Sequence, residues 1–147
     1  MTTRPVSEGH REELRSTAAH QAPIDEETLF SQCMGNVSFI FSLLDRLEVD
    51  GMQHVEQIVL HAIRKEPEAA ADAAHTLRGM MATVGAEPVS RMAGAIETSI
   101  RLGDTSLLFA LTQDLRCEMD RCLAYIAVLR KKHNIVRVCA EVGADEI

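Results

Sequence analysis

Hydrophobic residues recur along most of this chain with the three-and-four spacing of a buried helical face. Val37, Ile40, Phe41, Leu44 and Leu47 keep that order, and Val55, Ile58, Val59, Ala62 and Ile63 repeat it. Asn36 is placed to cap the first run. Asp50-Gly51, between the two, reads either as a turn separating two helices or as a tolerated kink in one long helix. Upstream, Asp25 is a good N-cap for a short, lid-like helix carrying Ile24, Leu29, Phe30, Cys33 and Met34, which Gly35 ends. Downstream, Pro67 suits the first turn of a helix that passes through His75 to about Val84 before Gly85 stops it. Pro88 starts another, reaching Leu102. Gly103-Asp104 then reads as a C-cap and N-cap pair before a last helix carrying Leu107, Leu111, Leu115, Met119, Cys122, Ile126 and Leu129.

Four amphipathic helices with short connections predict an all-α fold, an antiparallel up-down four-helix bundle with a short additional N-terminal helix, over residues 23–130. Residues 1–22 are polar and charged and read as a flexible arm. Residues 131–147 read as a tail, a prolongation of the last helix, or a dimer contact. Composition agrees: 147 residues with 46% hydrophobic content suffice for one domain with a core, and 3% aromatic residues favour helices over sheets.

The formal charge of -7 repels a phosphate backbone, and no Lys/Arg stripe interleaved with aromatics is present, so nucleic acid is not an expected partner. No run of about 20 apolar residues exists for a membrane span, and the N-terminus lacks a secretory signal pattern, which makes the cytoplasm the expected compartment. Cys33, Cys117, Cys122 and Cys139 form no C-x-x-C pair, and reduced thiols are expected there. No metal site is expected: Asp72-Ala73-Ala74-His75 is the one Glu-x-x-His-like spacing, and His54 and His61 stand two turns apart. No Ser-His-Asp grouping, nucleophile elbow or Gly-rich phosphate loop is recognisable.

The segment around His75 carries the candidate chemistry. With His75 at the origin of a helical wheel, Ala70, Ala73, Ala74, Leu77, Met80, Met81 and Val84 fall in an arc from roughly 140° to 260°. The imidazole therefore faces away from the core. Within about 60° of it lie Glu68, Ala71, Asp72, Arg78, Gly79 and Ala82, a face charged at its edges and small in its middle. A helical glycine costs roughly 0.5–1 kcal/mol relative to alanine, so Gly79 calls for a reason, and access to His75 supplies one. Arg78 offers a planar donor fork for phosphoryl oxygens, and Asp72, one turn earlier, is placed to orient the imidazole or to stand in solvent. Histidine is also the side chain whose ordinary titration range keeps a neutral, nucleophilic form abundant near pH 7. The Met80-Met81 pair lies in or beside the core arc and reads as packing.

Ala74-His75-Thr76-Leu77-Arg78-Gly79, followed by Val84-Gly85-Ala86, resembles the A-H-x-L-K-G … L-G-A signature of histidine-containing phosphotransfer (HPt) domains, and the similarity extends from about Ile24 to Leu129. The resemblance implies a four-helix bundle, one long second helix through Gly51, and no catalytic activity, ATP-binding domain or cofactor of its own. It implies that His75 accepts a phosphoryl group from a receiver-domain aspartate and passes it to another, through the imidazole nitrogen distal to the backbone. The implied partners are the receiver domains of response regulators and of a hybrid histidine kinase, met by a monomer, with Arg78, Gly79, Ala82 and Ala71 as the phosphoryl- and receiver-binding surface. Arg78 stands where the family usually has lysine, and Met80 and Met81 replace the small residues usual after the glycine. The rival expectation from another class is a helical adaptor that binds signalling partners without transferring phosphate.

Overall fold

The computed structural model of the chain describes residues 7–145, and side chains over residues 7–132. The described residues form six helices and no strand: α1 (Glu8–Ala19), α2 (Glu26–Gln32), α3 (Val37–Ile63), α4 (Pro67–Thr83), α5 (Glu87–Arg101) and α6 (Leu108–Asp145). Each long helix starts or stops where local chemistry dictates. The Asp25 and Asn36 side chains accept from the amides of Glu27 and Phe39, satisfying N-terminal donors of α2 and α3. Gly85 and Gly103 take left-handed φ values of 80° and 74° just past α4 and α5. The Ala86 and Asp104 amides then close back onto Met81 and Ser99 carbonyls. Asp104 caps the turn at Ser106 rather than α6 itself, which begins only at Leu108.

Helix α3 is continuous through Gly51, which resolves the turn-or-kink alternative. A Cβ at Gly51 would lie 2.9 Å from Met81 Cε and 3.2 Å from Met119 Cε, so the missing side chain is what lets two methionines of α4 and α6 meet over α3. Helices α3, α4, α5 and α6 enclose one core containing Leu44, Ile58, Leu77, Met81, Ile96 and Leu115. Helices α3 and α6 run in opposite directions, as Arg116 pairs with Glu56 while Arg130, farther along α6, pairs with Asp45 and Glu48, earlier in α3.

One expectation changes, and one open alternative narrows. The N-terminal stretch, expected to be a flexible arm, contains α1, docked on α5 and α6. Ser7 caps it, Arg11 grips Asp114 at 2.7 and 3.3 Å, Arg121 donates to the Ala18 carbonyl, and Ala18 is buried. So polar a helix is attached both by these ionic contacts and by the packing of Leu14 and Ala18 on the core. Residues 1–6 of that stretch lie outside the described residues. At the other end α6 runs on as helix to Asp145, one of the forms expected for residues 131–147. The apolar side chains of residues 135–142, and Cys139, lie outside the described side chains. No described helix is long and apolar enough to cross a membrane.

Candidate functional site

Helix α4 presents His75 on its outer side, beside the seam with α5. The seam is narrow because α5 turns small or short residues toward it. The Ser90 hydroxyl donates to the Arg78 carbonyl, and Gly94 has no side chain where Arg78 Cδ passes, 3.1 Å from the position a Cβ would take. The helices run antiparallel here, so Arg78 meets Gly94, His75 meets Glu97, and Asp72 meets Arg101.

Glu97 is the residue that sequence reasoning missed. Its side chain is 10% exposed, whereas the His75 side chain is 58% exposed. Nδ1 of His75 lies 2.9 Å from Oε2 and 3.2 Å from Oε1 of Glu97. An ionised carboxylate only accepts, so a neutral ring held against it donates from Nδ1 and has its lone pair on Nε2. Arg78 Nη2 is 3.3 Å from the same Nδ1, but two donors cannot bond to each other. The useful contact of Arg78 is therefore the 3.5 Å approach of Nη1 to Glu97 Oε1. A glutamate amid Ala93, Ala95, Ile96 and Ile100 gives no signal of a partner 22 residues upstream; the Glu97–Arg101 spacing of four is the only hint, and it reads as an ordinary helix-surface pair.

The remaining expected residues divide. Gly79 and Ala82 are exposed, and a Cβ on Gly79 would meet nothing within 4 Å, which gives the low ledge beside the histidine. Arg78 is 46% exposed and stands at its edge. Ala71 is a correction. It is 1% exposed and belongs to the core cluster, so it offers no surface to a receiver. Asp72 does not touch His75 among the contacts formed; it is 76% exposed and pairs with Arg101 at 3.4 Å. The hydrogen bond to Glu97 holds the Arg101 guanidinium more firmly charged against the opposing effect of burial, and Asp72 adds to it. Met81 is fully buried and Met80 packs partly against the core, as read from their spacing.

His75 does not sit in a cleft. A cavity of about 570 Å³ opens at the end of the bundle between the close of α3 and the start of α6, lined by Val59, Ile63, Ile100, Leu108 and Phe109 among others, and neither His75 nor Glu97 reaches it. The described residues include no group of three or more His, Cys, Asp or Glu side chains able to hold a metal ion. What the site presents is an imidazole held by a carboxylate on an open ledge with a cation next to it.

Compared with known families, the sequence matches the Hpt domain over residues 42–127, more than half of its length. The chain belongs to the Hpt family. No curated protein and no solved structure matches it. The matched span runs from within α3 to within α6 and takes in His75, Arg78 and Glu97. Hpt domains are phosphocarrier modules of phosphorelay signalling that interact with receiver domains, and membership gives this chain that role.

Proposed function

We propose that this Hpt protein carries a phosphoryl group on Nε2 of His75, taking it from the aspartate of one receiver domain and passing it to another. The observation that carries the reading is the contact of an outward imidazole with a buried carboxylate through Nδ1. In transfer, the Nε2 lone pair attacks the phosphorus of an aspartyl phosphate, a P–N bond forms, and the P–O bond breaks with the electron pair leaving on the aspartate. The proton on Nδ1 stays in place, and the positive charge that the ring gains is met by Glu97. Reversal against a second receiver returns the group. Arg78 is the cation placed to steady the charge spread over the phosphoryl oxygens, and the bare surface at Gly79 and Ala82 leaves room for the receiver to bring its own acidic pocket and metal.

On this reading the four long helices form an up-down antiparallel four-helix bundle that serves as a rigid stand for α4. The protein works in the cytoplasm as a monomer between the receiver of a hybrid histidine kinase and that of a response regulator. The test is phosphoryl transfer from a phosphorylated receiver. Wild-type protein is expected to take the label, and His75→Gln, which changes an exposed side chain, is expected to fold and take none. Undiminished labelling of the variant overturns the assignment. Receiver binding without transfer by the wild type would show a helical adaptor instead.

A further inference from the structure

Arg101 has no place in the transfer scheme above, yet it is the best-connected cation at the site. Its Nε donates to Glu97 Oε2 at 3.0 Å, the same oxygen that His75 Nδ1 approaches at 2.9 Å. Its Nη2 reaches Asp72 on α4 at 3.4 Å, one turn before the histidine. A glutamate side chain has three rotatable bonds, and a carboxylate so little exposed has almost no water to hold it, so its direction is set by the groups that donate to it. Arg78 is the other cation available, and at 3.5 Å it is the looser contact.

We propose that Arg101 is a positioning residue. By bridging Asp72 and Glu97 it fixes the carboxylate against Nδ1 and so keeps His75 in the tautomer whose Nε2 lone pair is free. The two arginines then divide the work: Arg78 faces the arriving phosphoryl group, and Arg101 stays with the carboxylate. The inference rests on the phosphotransfer reading for its purpose, but its geometry does not depend on any partner.

The test compares Arg101→Gln and Arg101→Lys with the full wild-type chain, using long-range ¹H–¹⁵N correlation of the His75 ring and transfer from a phosphorylated receiver. In Arg101→Gln the Nδ1–H tautomer is expected to lose its dominance and transfer to slow roughly tenfold, the scale on which loss of an outer partner of a functional histidine is felt. Lysine keeps the charge without the fork that spans two carboxylates, so Arg101→Lys is expected to recover part of both readouts. An unchanged tautomer in a folded Arg101→Gln protein overturns the proposal, whatever the transfer rate. If neither variant folds, Arg101 merely sustains the packing of α4 on α5, and the proposal is equally overturned. A wild-type protein that takes no label would defeat the phosphotransfer reading alone, because the tautomer measurement needs no receiver.

Discussion

At the scale of single residues, the site works by division between one exposed and one buried side chain. His75 must stand in solvent to meet a partner, and an imidazole in solvent has no fixed tautomer; Glu97, held inside the α4–α5 seam, supplies one. Glu97→Ala is expected to slow phosphotransfer by about 10- to 100-fold. Glu97→Gln, which keeps an acceptor oxygen but no charge, is expected to fall in between. Rates equal to wild type in Glu97→Ala would contradict the orienting role. Gly79 separates access from stability. Because a Cβ there meets nothing, Gly79→Ala is expected to raise unfolding stability in urea by roughly 0.5–1 kcal/mol. Gly79→Gln is expected to slow transfer, and an unchanged rate would argue that the ledge is not a docking surface. The histidine and its ledge were legible in the sequence because one helical wheel orients both. Glu97 was not, because its partner lies on another helix, and Ala71 was misplaced because a wheel does not show which edge a neighbouring helix covers.

At the scale of elements, side-chain caps start α2 and α3, a first-turn proline marks the start of α4 and α5, and left-handed glycines follow α2, α4 and α5. These were readable because each acts within a few residues, whereas the end of α3 at Lys65, with φ 57°, was not. Gly85 shows how tightly such a stop is held. Its φ is 80°, its carbonyl accepts from the Asp25 amide at 2.8 Å, and an added Cβ would lie 2.8 Å from the Asp25 carbonyl oxygen and 3.0 Å from Thr28 Cβ. Gly85→Ala is therefore expected to destabilise the fold by about 1–3 kcal/mol in denaturant titration. A neutral result would mean that the junction of α2 with the end of α4 is looser than the structure shows. Helix α1 was not legible for the opposite reason. Its anchor is Asp114, more than a hundred residues away, and no local pattern carries that information. Asp114→Asn is expected to speed amide hydrogen exchange over residues 8–19 while leaving α3 to α5 protected; uniform protection in all helices would contradict an ionic attachment.

At the scale of the whole molecule, the bundle is a stand for one side chain, and its interior also leaves a pH signature. Burial, followed by the charge of Glu118, pushes the Cys122 thiol up to about 12, whereas a solvated thiol titrates near 9. The folded state therefore holds this proton more tightly than the unfolded chain. The sign is that stability is intact below pH 9 and falls as pH rises toward 12, by on the order of 4 kcal/mol over that window. Urea unfolding at pH 8 and pH 10.5 is expected to show the loss, and Cys122→Ala is expected to lessen its dependence on pH even though it removes packing. Identical pH slopes would remove Cys122 as the cause. In native protein at pH 7 the exposed Cys117 is expected to label with a thiol reagent, whereas Cys33 and Cys122 are expected to label only after unfolding. The helical class and the family were legible at this scale from the period of the apolar residues and from the short signature around His75. The attachment of α1 and the choice of carboxylate were not, because both depend on contacts between distant parts of the chain.

The central claim is that Nε2 of His75, oriented by Glu97, is the atom that carries the phosphoryl group. It is tested most directly by ³¹P and ¹⁵N NMR of the full chain after incubation with a phosphorylated receiver. The expected result is a single phosphoramidate resonance coupled to Nε2 of His75 and absent from His75→Gln. A phosphoramidate on Nδ1, on any other histidine, or persisting in His75→Gln would contradict it.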